Sequence, residues 1–312
     1  LNPLSATEFP DITRTSADSW SRPKPLQLAL ALIAVLLIWS FNYVAGKIAM
    51  RHIDAMSLAL MRMPLAALLM LPVYGRQGRR TPLARGDIWT FTYLGFFGVV
   101  INMGCYTLGL GHTTSQHAVV VMALGPVLVL LLAATLKIES LSAAKALGMV
   151  ISFLGVVALE TERRAPGHSP LLLGDLITLS SITGFSIYTV LAKRVAMRYD
   201  PVSMNTYNLV SGAILVLPFS IWQMAHLRWG RVGWVGWLGM FYMAAFSAVL
   251  SYTIFAWILR YMDPSRIAAI NYVQTVVVIL ISIPLLGEHP TSHLLAGAAL
   301  VLLGVYLAER GS

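Results

Sequence analysis

The chain has 312 residues and a formal net charge of +9, yet only 11% of its residues are charged, against roughly 25% in soluble domains. A mean hydropathy of +0.74 excludes an ordinary soluble globule, and the single cysteine, Cys105, excludes an intramolecular disulfide. Without a soluble segment large enough to fold into a basic face, the positive balance does not indicate nucleic acid as a partner.

Residues 1–25 carry Pro3, Pro10, Pro23 and Pro25 among Ser, Thr and Asp, and read as a disordered cytoplasmic tail. A secretory signal peptide is not expected, because the first apolar run begins only at Leu26 and is long enough to remain in a membrane. From there, ten stretches reach the length of about 17 to 25 residues that crosses a bilayer. In chain order they are 26–47, with Trp39 and Asn42; 55–74, with Arg62; 88–110, with Asn102 and Tyr106; 115–136, with His117 and Gly125-Pro126; and 142–160, with Gly148 and Gly155. The next five are 171–192, with Asp175 and Tyr188; 202–222, with Asn208; 234–257, with Tyr252; 265–286, with Asn271, Tyr272 and Gln274; and 291–308, with Gly297 and Gly304. The connections are too short to hide a soluble domain.

The two groups of five repeat each other. Lys47-Ile48-Ala49-Met50-Arg51 returns as Arg194-Val195-Ala196-Met197-Arg198. At an offset of 149, Lys137-Ile138-Glu139 is matched by Leu286-Gly287-Glu288, and Gly148 with Gly155 by Gly297 with Gly304. The expected fold class is therefore an all-α integral membrane protein of ten transmembrane helices in two five-helix repeats, 26–160 and 171–308, joined by 161–170 and followed by 309–312. Because five is odd, the second repeat enters the membrane from the opposite side, an inverted-topology arrangement typical of secondary transporters. The loops set the orientation. With the N-terminus cytoplasmic, that side carries fifteen of the 22 Lys and Arg, against six on the other side and Arg62 within a span, so both termini are expected inside, in a cytoplasmic membrane.

These segments resemble a known family, the EamA type of the drug/metabolite transporter superfamily. Trp39-Ser40-Phe41-Asn42-Tyr43-Val44-Ala45-Gly46-Lys47 is similar to its opening motif, and Arg62 falls where its second helix carries an arginine. Gly174-Asp175-Leu176, Tyr188-Thr189-Val190-Leu191 and Lys193-Arg194 resemble its sixth helix, and Leu286-Gly287-Glu288 the turn between its ninth and tenth. Two positions depart from the pattern: Lys137-Ile138 stands where the first repeat usually has Leu-Gly, and Thr275 replaces the proline kept as Pro126. The resemblance implies a secondary exporter or exchanger of small metabolites such as amino acids. A lipid or lipid-precursor flippase on the same fold is the alternative.

Arg62 is the foremost candidate for substrate contact, since a charge in hydrocarbon persists only with a partner or a watery cavity. It either faces a central cavity as an anion-binding cation or ties its helix to carbonyls exposed near Pro64. A belt of polar and aromatic residues is expected to line that cavity with it: Trp39, Asn42, Asn102, Tyr106, His117, Tyr188, Asn208, Tyr252, Asn271, Tyr272 and Gln274, with Met63, Met122 and Trp257 as an apolar wall. His117 either exchanges a proton or packs as a neutral side chain. Asp175, in the first turn of its helix, reads as a dipole-complementing or interface-solvated carboxylate. Glu139 and Glu288 read as turn-closing caps for the helix that follows each. The glycines Gly148, Gly155, Gly297 and Gly304 form close-packing faces, used within one monomer or between two.

No phosphate loop, nucleophile elbow, zinc-protease motif or paired intramembrane carboxylates is found, so neither an enzyme nor ATP-driven transport is expected. His289 and His293 flank Pro290 and read as a turn, with no metal or cofactor site. The expected partners are a small-molecule substrate and the lipid bilayer, with the protein a monomer or homodimer.

Overall fold

Lipid offers no hydrogen bonds, so each apolar run must satisfy its own backbone groups, and a helix is the element that does so within one segment. A computed structural model of the chain describes residues 23–78, 80–135, 142–160, 171–227, 229–262, 264, 267 and 270–310. The N-terminal tail, the 161–170 link and the Lys137-Ile138-Glu139 turn lie outside the described residues. Among the described residues there are ten membrane helices and no strand. They are α1 (Pro25–Ala49), α2 (Ala55–Arg76), α3 (Arg85–His112), α4 (Ser115–Met122 and Gly125–Thr135), α5 (Ala143–Glu160), α6 (Leu171–Ala196), α7 (Pro201–His226), α8 (Trp234–Tyr261), α9 (Ile270–Leu286) and α10 (Ser292–Arg310). Seven are long and apolar enough to cross a bilayer by their described residues alone, and the apolar parts of α5, α9 and α10 are shorter. Large apolar side chains face outward, with Leu68, Ile214 and Phe219 each more than 60% exposed, as a lipid-facing surface requires.

Local chemistry sets the helix boundaries. Asp54 caps α2 by accepting from Ser57 N at 2.8 Å, and Asp200 caps α7 by accepting from Ser203 N at 2.9 Å, with Pro201 in the first turn. Gly125-Pro126 interrupts α4: the helix ends at Met122, turns through Ala123 and Leu124, and resumes at Gly125. At the equivalent place α9 keeps Thr275, and the helix is continuous from Ile270 to Leu286.

The repeats are related by more than sequence. Call the side where α1 begins the near face and the side where it ends the far face. At the far end of α1, Lys47 Nζ donates to Thr113 O just beyond α3; at the near end of α6, Lys193 Nζ donates to Met262 O just beyond α8 at 2.9 Å. Each lysine thus caps a carbonyl terminus of its own repeat on opposite faces, as an inverted pair must. The register is Lys47 with Lys193 and Asp54 with Asp200, 146 positions apart, rather than Lys47 with Arg194. From α3 and α8 onward the offset becomes 149. There, α5 and α10 cross so closely that a Cβ at Gly155 would lie 2.8 Å from Gly297 O, and one at Gly304 2.5 Å from Gly148 O. Ser152 Oγ donates to Val301 O at 3.2 Å, linking two positions that are themselves 149 apart. These glycine faces therefore pair within the monomer.

One shared feature has no sequence signature. Residues Phe96–Gly104 of α3 and Met243–Leu250 of α8 are wound as π-helix at corresponding positions of the two repeats. Such wide turns are frequent at functional sites, and both segments flank the central cavity.

Candidate functional site

Between α1, α2, α3, α4, α6, α8 and α9 lies a cavity in which about 50 Å³ admits the centre of a water molecule. That is room for a few waters, so in this conformation the space is tightly drawn in. Eight of the twelve residues expected from sequence line it: Trp39, Asn42, Arg62, Asn102, Tyr106, Tyr252, Asn271 and Gln274. Met122 contributes apolar wall as expected. Tyr43, Met103, Ile182, Phe185, Ser247 and Ala248 also line it and were not foreseen; apolar and small side chains inside a span carry no signal that separates lining from packing.

Arg62 is 4% exposed and makes one hydrogen bond, from Nη2 to Met103 O at 3.0 Å, in the π-helical part of α3. Its guanidinium carbon stands 5.6 Å from the centre of the Tyr106 ring. Nε and Nη1 have no partner. The carbonyl that Pro64 leaves without a helical donor is that of Leu60, and it accepts from Ser220 Oγ of α7 at 2.7 Å. The helix break is thus repaired by a serine, and the arginine is not spent on it.

Around the guanidinium, Asn42 Oδ1 and the Tyr106 hydroxyl are likewise buried without a hydrogen-bond partner. Asn102 is fully engaged. It donates to Ser181 O and Oγ, both at 3.2 Å, and accepts from the Tyr252 hydroxyl at 2.6 Å, cross-linking α3, α6 and α8. Asn271 and Gln274, three residues apart on one face of α9, supply two more amides. Part of the wall is aromatic: Trp39 meets Phe185 edge-on at 5.6 Å, with Phe255 of the apolar core 5.5 Å from Trp39.

Four expected residues are elsewhere. Tyr272 follows Asn271 by one residue, a rotation of about 100° that carries it off the lining face into partly buried packing. Tyr188 is pressed over Gly98 of α3, where an added Cβ would be 2.5 Å from its ring, and its hydroxyl has no partner. Asn208 is fully buried on the face of α7 that Ser211 and Gly212 press onto α3, and neither amide atom is bonded. His117 sits in the first turn of α4, with Nδ1 3.0 Å from Asp175 Oδ2. Met63 and Trp257 are in the apolar packing rather than the wall.

Polar contacts join the two repeats at both faces. At the far face Asp175 is 3% exposed and also accepts from Thr113 Oγ1 at 2.7 Å. It is neither a solvated carboxylate nor a cap of its own helix, but a buried tie between repeats. Glu288 does cap a helix, though not the one that follows it. It accepts from Ser115 N at 3.0 Å, Ser115 Oγ at 2.6 Å and Gln116 N at 3.2 Å at the start of α4, while α10 is capped by Thr291. Gly287, at φ +71°, supplies the left-handed turn that aims the carboxylate across the gap. At the near face Asp87 accepts from Arg198 Nη2 at 2.9 Å and from the Tyr199 hydroxyl at 2.7 Å. Asp200 accepts from Gln77 Nε2 and Thr81 N. Burial raises the Asp200 pKa, but the hydrogen bonds from Ser203, Gln77 and Thr81 outweigh it and leave it below the ordinary carboxylate value. Its contribution is therefore present above the usual carboxylate range and is lost as pH falls through that lowered pKa.

Comparison with known proteins follows the same outline. The sequence profile of the EamA-like transporter family matches residues 26–161 and 172–309. An uncharacterized transporter of Archaeoglobus fulgidus is 27% identical over 90% of this chain and 98% of its own length. The uncharacterized transporter YyaM of Bacillus subtilis is 24% identical over 92% and 94%. A probable terminal-alkyne amino-acid exporter of Streptantibioticus cattleyicolor is 22% identical over 90% and 92%. A solved structure described only as a crystal structure of a protein shares the fold with a TM-score of 0.61, at 19% identity over 92% of this chain and 98% of that one.

Proposed function

We propose, from the premise that this chain belongs to the EamA-like transporter family and is a multi-pass membrane transporter, that its cargo is a small amphipathic metabolite bearing a carboxylate, such as an amino acid. The observation that carries this reading is the pair of unpartnered donors on Arg62, Nε and Nη1, beside the cavity, on a guanidinium that spends only Nη2 on the wall, at Met103 O. The Nε–H edge of the guanidinium is shared with Nη2, which is bonded to Met103 O, so Nε and Nη1 point to different sides, and each can donate a charge-assisted hydrogen bond to a carboxylate oxygen. Asn42 Oδ1 is an unpartnered acceptor beside the same cavity and suits the ammonium end of a zwitterion. The aromatic wall of Trp39 and Phe185 gives an apolar side chain a place to lie.

Transport proceeds by alternating access in a cytoplasmic membrane, with the near face cytoplasmic. The repeats rock so that the far and near closures open in turn around a fixed midplane site. The lining comes from seven helices of both repeats, and this central position favours a small soluble cargo over a lipid. Export is the direction favoured, from the amino-acid exporter among the relatives.

The test is uptake into proteoliposomes with a panel of amino acids and uncharged analogues, alongside the melting temperature in detergent. Arg62→Lys keeps the charge but loses the planar array of separate donors, and should raise the half-saturation concentration for carboxylate substrates several-fold. Arg62→Gln should raise it further, with uncharged analogues little changed and melting preserved. Equal loss for every substrate together with a lowered melting temperature would overturn the reading.

A further inference from the structure

The two repeats spend their equivalent polar residues differently. In the register set by Lys47 with Lys193 and Asp54 with Asp200, Trp39 corresponds to Phe185, Asn42 to Tyr188 and Arg62 to Asn208. Trp39 and Phe185 touch each other at 5.6 Å, as residues beside a pseudo-twofold axis do. Away from that axis the symmetry breaks. Asn42 and Arg62 face the cavity, in the half of the membrane nearer the far face, with unpartnered polar atoms. Tyr188 and Asn208, in the half nearer the near face, also carry unpartnered polar atoms, but at 0% exposure and inside packing.

An unbonded amide and an unbonded phenol buried in packing are a standing cost, and isosteric apolar residues would remove it. Tyr188 lies among the rings of Phe185, Tyr252 and Phe255, and where α6 and α7 meet α3 the contact is made through glycines. Gly98 receives the Tyr188 ring, Gly184 lies against Ile101, and Gly95 and Gly212 let α7 settle onto α3. Small residues of this kind let α6 and α7 approach α3 closely through backbone contact, and no side-chain hydrogen bond from Tyr188 or Asn208 ties that contact.

We infer that Tyr188 and Asn208 form the second half of the substrate site, hidden in this conformation and exposed when the repeats exchange their arrangements. In the exchanged state α6 and α7 part from α3, and a cavity opens in the near half. A ligand there meets a neutral phenol and amide where the far half offers Arg62. The carboxylate leaves its cation on the way, so binding is tight at the Arg62 half-site and weak at the Tyr188–Asn208 half-site. The exposure of these residues stands on geometry alone, while the carboxylate specificity rests on the function proposed above.

The experiment uses the full chain in proteoliposomes, with Cys105→Ser and a single new cysteine, Asn208→Cys or Asn42→Cys, labelled by a small polar maleimide. Each is combined with a second cysteine pair joined by a short bifunctional thiol reagent before labelling. Ser115→Cys with Glu288→Cys locks the far face, and Asp87→Cys with Arg198→Cys locks the near face. Asn208→Cys should react at least tenfold faster with the far face locked, and Asn42→Cys at least tenfold faster with the near face locked. An Asn208→Cys that labels equally slowly under both locks overturns the inference while leaving the Arg62 reading intact. Reciprocal labelling with no carboxylate preference in the Arg62 variants does the reverse. Asn208→Leu guards against a folding artefact. It should raise the melting temperature while lowering transport of the amino-acid panel at least tenfold, and a raised melting temperature with transport unchanged would refute the hidden half-site.

Discussion

Helices α4 and α9 occupy the same place in the two repeats and are built in opposite ways. In α4, Pro126 lacks the N–H that would reach Met122 O, and the span is cut into Ser115–Met122 and Gly125–Thr135. In α9, Thr275 sits at the matching position, and its Oγ1 bonds back to Asn271 O at 2.8 Å within an unbroken turn. The far piece of α4 is eight residues long, too short to hold itself, and it is gripped instead by side chains from the other repeat. Asp175 takes His117, and Glu288 takes Ser115 and Gln116. A segment held at its end by a few carboxylates can be released, whereas α9 stays helical through Pro284, which the sequence alone would read as a second interruption. Under the proposed alternating access the difference makes α4 the candidate gate, while α9 lines the cavity with Asn271 and Gln274.

The largest expected effect comes from cutting the buried tie. Asp175→Ala leaves His117 and Thr113 without their acceptor in a site only 3–4% exposed. Leaving a buried donor unsatisfied costs about 1–3 kcal/mol, and two donors lose their acceptor here. The melting temperature should fall markedly, and proteolysis should begin in the 113–115 turn before other loops. Unchanged melting would mean that α4 is held by apolar packing alone, and the contrast with α9 would fail.

Next comes the reverse operation on α9. Thr275→Pro restores the proline pattern of α4 but removes two donors to Asn271 O in a residue 1% exposed, a change worth about 3 kcal/mol in a helix interior. It should also displace Asn271 and Gln274, so transport falls along with stability. Glu288→Ala should cost somewhat less, about 2 kcal/mol, because Thr114 Oγ1 still caps His117 N when the charge-assisted bonds are gone. Faster hydrogen exchange confined to the first turn of α4, read by mass spectrometry, is the expected mark of it.

Much of this contrast was legible before the structure, and some of it was not. The break at Gly125-Pro126, the departure at Thr275 and the paired glycines of α5 and α10 follow from residue type and spacing. The grip of Asp175 and Glu288 does not, because each carboxylate finds its partner in the other repeat, 58 and 173 positions away, and local reading offers only the nearest helix terminus. Asn208 and Tyr188 look like cavity residues because polar side chains in a span invite that reading, and in this conformation tertiary packing against α3 keeps them off the lining. The π-helical turns left no trace, since they depend on how α3 and α8 meet their neighbours rather than on residue type.

The smallest equilibrium effect, and the most discriminating, belongs to Pro126→Ala. The new N–H can reach Met122 O only if Ala123 and Leu124 rewind into helix, so the substitution trades a relaxed turn for one added hydrogen bond. Such a bond is worth about 1 kcal/mol net, and the rewinding must also move Met122, which lines the cavity. The two terms oppose each other, and melting should shift by no more than a few degrees. Transport should respond differently, because joining the pieces makes the far end of α4 swing only with its near end, as α9 does. A turnover lowered severalfold at unchanged half-saturation concentration is the expected outcome. If turnover is untouched while exchange data show α4 rewound, the break is a relic of packing and the gate moves as whole helices.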